Sequence, residues 1–253
     1  MCCSYTLRRK GDRRVSEFNN LRDTFRRLGM ELTEEKETIY RGYMEDILEL
    51  NESINLTAIR ERDAFIAGHY DDSMACAFTP EFQEAGRIID VGTGGGFPGI
   101  PLAIAYPEKE FVLVDSLNKR IKIIVSLAEK YGLSNVQALH GRAEELGRRE
   151  GLREAFDLCV SRAVANMSTL TELCLPFVRE GGSFIAYKGP GSDGEIADAA
   201  KAIEILGGSL RSVEKAYGGP EGTEHRLVIV SKKRKTPARY PRKPGTPGKS
   251  PIK

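Results

Sequence analysis

Chemistry in this chain is expected first at Asp90-Val91-Gly92-Thr93-Gly94-Gly95-Gly96-Phe97-Pro98-Gly99. A short apolar run, Ile88-Ile89-Asp90-Val91, leads straight into glycines at 92, 94, 95 and 96. Glycine is required where the backbone turns with positive φ or where a ligand must approach the main chain. Helix-compatible residues follow, so the first N–H groups of a helix add donors there. Four glycines in five positions exceed what a tight strand–helix turn needs. A strand before and a helix after strengthen the reading of a nucleotide-type site. A dinucleotide would set the glycines as G-x-G-x-x-G around a pyrophosphate. Asp90, at the strand end, disfavours that anion and suits a ligand bearing a sulfonium and an ammonium, which is S-adenosyl-L-methionine.

A second acid, Asp115, closes Val112-Leu113-Val114-Asp115, 23 residues beyond Gly92. Such a side chain accepts ribose hydroxyl protons in both nucleotide classes; as a helix cap before Ser116–Arg120 it would serve structure alone. Gly141-Arg142-Ala143-Glu144-Glu145 follows the third apolar run. There Ala143 offers backbone and Glu144 a polar group beside an adenine, or both belong to a helix N-terminus where acids favour the dipole. Asp157-Leu158-Cys159-Val160-Ser161-Arg162-Ala163 lacks the Asn/Asp-Pro-Pro-aromatic of amino-group methylation. Its Cys159, between Leu158 and Val160, reads as core. Arg162 is the first candidate for positioning a substrate, since its planar fork bonds in two directions; the alternative is a structural ion pair. Lys188, before Gly189-Pro190-Gly191, is the second, for a phosphate or another substrate group. His69, His140 and His225 fit no nucleophilic triad and read as structural.

These residues need a scaffold, and the periodicity supplies one. Phe18, Leu21, Phe25 and Leu28 recur at helical spacing, as do Ile39, Tyr43, Ile47 and Leu50, and more weakly Phe65, His69 and Ser73. Gly29 ends the first helix; Thr33 and Lys36 flank the start of the second; Asn51–Thr57 reads as a turn. From Arg87 onward short apolar runs alternate with helical stretches. Strands are predicted at Arg87–Val91, Phe111–Asp115, Val136–His140, Phe156–Ser161, Ser183–Tyr187 and Arg226–Ser231, with helices at Lys119–Tyr131 and Ser168–Val178. That alternation predicts βαβ units and a largely parallel sheet. Ser209–Tyr217 and Arg226–Ser231 are compatible with a hairpin turning at Gly218-Gly219-Pro220-Glu221-Gly222.

Hydrophobic residues make up 40% of 253, enough for a sizeable core. No apolar run of about 18 residues occurs, so no membrane partner is expected. The first ten residues have no long apolar stretch before a cleavage site, so no secretory signal is expected. Five cysteines (Cys2, Cys3, Cys76, Cys159, Cys174) form no CxxC pair, which argues for reduced thiols in a cytoplasmic protein and against zinc. The net charge of +2 conceals a polarity. Of 38 basic residues nine lie between Lys232 and Lys253, where no acid occurs, and the remainder of the chain is acidic. Lys232, Lys233, Arg234, Lys235, Arg239, Arg242 and Lys243 are the candidate RNA-binding residues; a basic tail is also often only a solvated end. Lys119, Arg120 and Lys122 read as a solvated helix face. From Thr236 the chain, punctuated by Pro and Gly, is expected to be extended and unpacked.

The sequence resembles the bacterial small-subunit (16S) ribosomal RNA guanine-N7 methyltransferase family, also called the glucose-inhibited division protein B family. The likeness runs from about Tyr40 to the end. It is carried by Asn55-Leu56-Thr57-Ala58-Ile59, the Asp90–Gly99 loop, Asp115-Ser116-Leu117-Asn118-Lys119-Arg120, Ser161-Arg162-Ala163, Lys188-Gly189 and Tyr240-Pro241-Arg242-Lys243-Pro244-Gly245-Thr246-Pro247. The resemblance implies an α/β fold: a Rossmann-like class I S-adenosylmethionine methyltransferase sheet, mostly parallel, of seven strands. A helical extension at 16–80 would precede a methyltransferase domain at 81–235 and an extended basic tail at 236–253, with residues 1–15 a disordered start. It implies cofactor contacts at Gly92, Phe97, Ala143, Glu144 and Arg162, with Asp115, Ser116 and Leu117 near the ribose; Asp90, Gly94 and Gly96 join them from the loop itself. It implies a substrate, one guanine in the 530 loop of 16S rRNA, met on RNA or on the small ribosomal subunit. Nothing in the sequence suggests an obligate dimer, and a monomer is expected.

Overall fold

Residues 17–162, 165–218 and 224–253 are described in a computed structural model of the chain. The expectations for residues 1–15, for Ala163 and for the turn residues Gly219–Gly222 lie outside them. Seven strands form one sheet: β1 Arg87–Val91, β2 Glu110–Asp115, β3 Val136–His140, β4 Phe156–Arg162, β5 Val178–Lys188, β6 Gly208–Lys215 and β7 Arg226–Lys232, in the order β3-β2-β1-β4-β5-β7-β6. Pairing is parallel from β3 to β5 and antiparallel for β5–β7 and β7–β6. The sheet is therefore mixed, with β7 alone reversed, because β6 and β7 form a hairpin and need no crossover.

Strand residues alternate between two cores. Ile88, Leu113, Leu158, Val160, Ile185 and Ile229 face one; Ile89, Val91, Val112, Cys159, Phe184 and Val230 face the other. Both sides of the central strands are buried, which explains why they read as continuous apolar runs.

The first face is covered by the N-terminal helices α1 Asn19–Arg27, α2 Glu34–Leu50, α3 Arg62–Phe65 and α4 Pro80–Glu84, together with α5 Gly99–Ala105 and α6 Asn118–Lys130. Helix α1 stops as expected at Gly29, whose φ of 72° lets its own N–H reach Arg26 and that of Met30 reach Phe25. Thr33 caps α2 by accepting from the Lys36 N–H. Between α3 and α4 the helix widens to a π-turn over Ile66–Asp71 and tightens to a 3₁₀ turn over Met74–Phe78. The segment at 17–84 thus shares one continuous core with the sheet.

The second face is covered by α7 Ala143–Leu146, α8 Met167–Cys174, α9 Asp193–Asp198 and α10 Ala200–Ile205. Helix α8 ends at Cys174, short of the predicted Val178, because Pro176 cannot donate the next helical hydrogen bond. Strand β5 consequently begins at Val178.

The expectation of an extended, unpacked tail is corrected. Tyr240 and Ile252 are buried in the second core, and Thr246–Lys249 forms a short helix, α11. Arg148 donates to the carbonyls of Ala238, Arg239 and Pro241, and Arg153 to those of Thr236 and Tyr240. Arg242 grips the fully buried carboxylate of Glu172 with Nε and Nη2, at 2.6 Å for the shorter Nη2 contact. A buried acid on α8 needs a cation, and the tail supplies it.

Candidate functional site

The glycine loop joins β1 to α5 at the carboxyl edge of the sheet, where open α/β sheets bind their ligands. Gly92, Gly94 and Gly96 have φ of 77°, 60° and 91°. Gly96 is also hemmed in, since a Cβ there would lie 2.5 Å from Tyr43 Oη and 2.6 Å from Ile100 Cγ1. At Gly94, by contrast, an added Cβ would meet nothing within 4 Å, so the loop is open on that side.

Asp90 is 1% exposed, and its Oδ2 accepts from Thr93 Oγ1 at 2.7 Å and from the Gly99 N–H at 2.9 Å. Its Oδ1 is buried with no hydrogen-bond partner among the described residues. Burial pushes the carboxyl up to about 6, against the pull of Thr93, Gly99 and Arg162. A buried oxygen left unsatisfied costs free energy that a ligand N–H or cation would recover. Asp115 ties the first two loops together: Oδ2 accepts from the Gly94 N–H at 3.0 Å and Oδ1 from the Leu117 N–H at 2.8 Å. The capping alternative for Asp115 is therefore realised in part, with lone pairs remaining for a ligand. Ser116 and Leu117 are exposed beside it. Glu144 is buried, and its Oε1 accepts from the Gly245 N–H at 2.8 Å and from Arg142. Burial pushes its carboxyl up, but these contacts outweigh it and hold the group below the ordinary carboxylate value. Ala143, next to it, is half-buried.

Phe97 is buried, with its ring stacked on His69 at 4.2 Å and 7°. Tyr43 of α2 donates to the Gly95 carbonyl at 2.9 Å, so the N-terminal helices hold the loop directly.

Arg162, ending β4, reaches into the N-terminal segment. Nη1 donates to Asp72 Oδ2 at 2.6 Å and to the Gly68 carbonyl at 3.1 Å, and Nη2 to His69 Nδ1 at 3.1 Å. Its guanidinium carbon lies 5.6 Å from the Phe97 ring centre. The structural ion pair weighed for Arg162 is thus present, and it lies at the end of β4 beside the glycine loop. A guanidinium only donates, so His69 Nδ1 is the acceptor and Nε2 carries the proton. That Nε2–H donates to Thr57 Oγ1 at 2.6 Å. Burial, with Arg162 adding to it, lowers the His69 imidazole to about 3, so it is neutral. Asp72 Oδ1 pairs with His225 Nδ1 at 2.6 Å, which holds the His225 imidazole above its usual value. Thr57 is set by Asn51, whose side chain bonds the backbone of Leu56 and Thr57.

Of the three histidines read as structural, His69 touches Arg162 and His225 shares its partner Asp72. Asp72 and Thr57 received no role from sequence reasoning. For Thr57 the available signal was its place in the Asn55–Ile59 motif, and for Asp72 its position three residues after His69. His140 is exposed and its Nε2 lies 3.2 Å from the Ser116 carbonyl. Lys188 sits at the end of β5, with its ammonium on the Ala165 carbonyl at 2.7 Å and Glu195 at 3.1 Å.

The basic candidates divide. Lys233, Arg234, Lys235, Arg239 and Lys243 are exposed. Lys232 is 1% exposed and donates to the Leu175 carbonyl and Thr236 Oγ1, with Glu154 at 3.3 Å. Burial lowers its ammonium to about 8. Lys232, spent on the core, and Arg242, spent on Glu172, are corrected from the set of phosphate-binding residues.

The family model described as rRNA small subunit methyltransferase G matches residues 36–225. Proteins named ribosomal RNA small subunit methyltransferase G from Bacillus thuringiensis (strain Al Hakam) and Bacillus anthracis (strain A0248) are each 46% identical over 224 residues, covering 88% of this chain and 94% of theirs. Among solved structures, an O-methyltransferase from Bacillus cereus in complex with SAH aligns with a TM-score of 0.52 at 19% identity, over 76% of this chain and 91% of that one. At that identity the likeness is one of fold.

Proposed function

The chain belongs to the rRNA small subunit methyltransferase G family, and from that membership we propose that this enzyme methylates N7 of a guanine in the 530 loop of 16S rRNA. The methyl donor is S-adenosyl-L-methionine, which when bound supplies an electrophilic methyl group on a sulfonium sulfur. The glycine loop fits it: Asp90 Oδ1 is a buried acceptor awaiting a cation or N–H, and the backbone at Gly94 is open. Gly92, Gly94, Gly96 and Phe97 would line the donor. Asp115, with Ser116 and Leu117, would take the ribose. Ala143 and Glu144 would flank the adenine.

The observation that carries the reading is how the polar groups at the end of β4 are spent on one another. Asp72 is paired with Arg162 and His225, and neutral His69 uses both ring nitrogens. No member of that cluster is an idle general base. Guanine N7 has an in-plane lone pair and no proton to lose, so its methylation needs alignment rather than proton removal. Arg162 has two of its five N–H groups uncommitted among the described residues; these would hold the base edge. Lys188 has a third ammonium proton to offer to the base or a phosphate. Exposed Lys233, Arg234, Lys235, Arg239 and Lys243 would meet phosphates, so RNA binding should weaken steeply with salt. The enzyme is taken to act as a cytoplasmic monomer.

Mass spectrometry of 16S rRNA from a strain lacking the gene tests the assignment. Loss of 7-methylguanosine from the 530 loop is the expected result, and its persistence would sink the reading.

The donor site carries a pH signature. Asp90 binds a cation best when ionised, and the ligand ammonium stays protonated below about pH 7.7. Affinity for S-adenosylmethionine by calorimetry is expected to rise roughly tenfold between pH 5 and 7 as Asp90 passes its value of about 6. The sign for the free protein is opposite. A raised carboxyl stabilises the fold when protonated, and that contribution is lost as pH rises through about 6. Asp90→Asn should flatten the binding profile; a flat profile in the unaltered enzyme would remove Asp90 from donor recognition.

A further inference from the structure

A second pocket opens where the end of β6 meets the N-terminal helices. It is a cavity of about 190 Å³ bordered by Asn20, Asp23, Thr24 and Arg27 of α1, Asp71 of the π-turn, Phe78, and Tyr217-Gly218 after β6. Tyr217 is 57% exposed, the most exposed large side chain among the described apolar residues. Its ring lies 5.0 Å from Phe78 at 31°, and the Arg27 guanidinium stands 5.8 Å from its centre. An exposed aromatic backed by a second ring and flanked by a guanidinium is a stacking platform for a nucleobase.

The pocket wall carries a polar reader. Asp71 is 3% exposed, and among the described residues its carboxylate has one long bond, 3.4 Å from Thr24 Oγ1. Burial, with Asp72 adding to it and Thr24 opposing, pushes this carboxyl up to about 7; once ionised, a carboxylate so weakly satisfied calls for N–H donors. Among the bases, guanine presents two adjacent donors, N1–H and N2–H, on its Watson–Crick edge, the edge that proteins read in single-stranded RNA.

The pocket also lies next to the reaction site. Asp71 precedes Asp72, the partner of Arg162 and His225. The Ala216 N–H, just before Tyr217, bonds the His225 carbonyl. Gly218 packs so closely on Asp71 that a Cβ there would lie 2.6 Å from its carbonyl oxygen. One base-sized pocket therefore adjoins the cluster assigned to the target guanine.

We propose that this pocket binds a second, unmethylated base of the RNA substrate, a guanine close in sequence to the target, stacked on Tyr217 and read by Asp71. The inference rests on the rRNA reading above. It also gives the N-terminal helices a share in choosing the substrate.

Steady-state methylation of small subunits by the unaltered enzyme, Tyr217→Ala, Tyr217→Phe and Asp71→Asn tests it. For Tyr217→Ala the expected result is a KM for RNA raised about tenfold, with kcat and S-adenosylmethionine affinity within twofold of the parent. Tyr217→Phe, which keeps the ring, should restore KM. Ultraviolet cross-linking of the enzyme to a 16S rRNA fragment spanning the 530 loop should place a cross-link on the peptide holding Tyr217. Because Tyr217 is exposed, its loss leaves the fold in place even where Asp71→Asn unfolds. An unchanged KM for Tyr217→Ala would overturn the inference, as would a cross-link map that omits Tyr217, while leaving the methyltransferase reading standing. Absence of rRNA methylation by the unaltered enzyme would instead fail both.

Discussion

Arg162→Ala is expected to abolish detectable methylation, a loss on the order of a thousandfold or more, while the chain still folds. Arg162 is where the two halves of the site meet. It leaves β4, crosses to Asp72 and His69, and lies over the Phe97 ring of the glycine loop. Removing it withdraws the donors proposed for the guanine and leaves neutral His69 without its Nδ1 partner. Breaking a buried pair typically costs about 3–5 kcal/mol. Here Asp72 keeps His225, so a loss nearer about 2 kcal/mol is expected. Arg162→Lys separates the two effects. It retains a cation for Asp72 and should recover much of the stability, but a point-like ammonium cannot bond in two planar directions, and turnover should remain low. Single-turnover methylation of small subunits, with thermal melts of each variant, reads both. Turnover near the parental rate in Arg162→Ala would take Arg162 out of the site.

Arg242→Ala is expected to lower stability rather than weaken RNA binding by one phosphate contact. Its guanidinium neutralises Glu172, whose carboxylate is fully buried on α8, and its Nη2 also holds the Ser250 carbonyl. The residual charge of Glu172 would be left without its cation in a low-dielectric core. Arg242 is itself about a quarter exposed, which tempers the loss to about 3 kcal/mol. For a chain of this size that corresponds to a melting temperature lower by roughly 10 °C. The same strap anchors Glu144 through Gly245, so affinity for S-adenosylmethionine should fall as well. Glu172→Gln in the Arg242→Ala background removes the stranded charge and should restore part of the stability. By contrast, Lys243→Ala, an exposed change, should leave the melting temperature within a degree or two and alter only RNA affinity and its salt dependence. An Arg242→Ala protein that melts with the parent and loses only RNA affinity would return this arginine to the phosphate-binding set.

The sheet was legible because its signal is local. Each central strand is buried on both faces, so apolar runs mark it, and glycines or acids punctuate its end. Five strands were placed to within one residue at either end, β5 was placed five residues short at its start, and β6 was foreseen as half of a hairpin. Where an element boundary was missed, as at Val178, a proline within the run had ended the helix earlier. The glycine loop and Asp115 were legible for the same reason: backbone geometry and a strand-end acid are written into adjacent residues.

The partnerships at the site were not legible. Asp72 is 90 residues from Arg162 in sequence, and Glu172 is 70 from Arg242. No periodicity reports which acid a distant arginine will meet. By itself the sequence determined the sheet, the opening glycine loop and, through the resemblance carried by its motifs, the family. The tertiary structure decided what the charges do. It turned Asp90 from a free acid into a buried carboxylate with one oxygen to spare, and it drew Arg162 onto Asp72 and His69. It also converted half of an apparently loose basic tail into a strap, because a charge taken out of water must find its partner wherever the fold brings one.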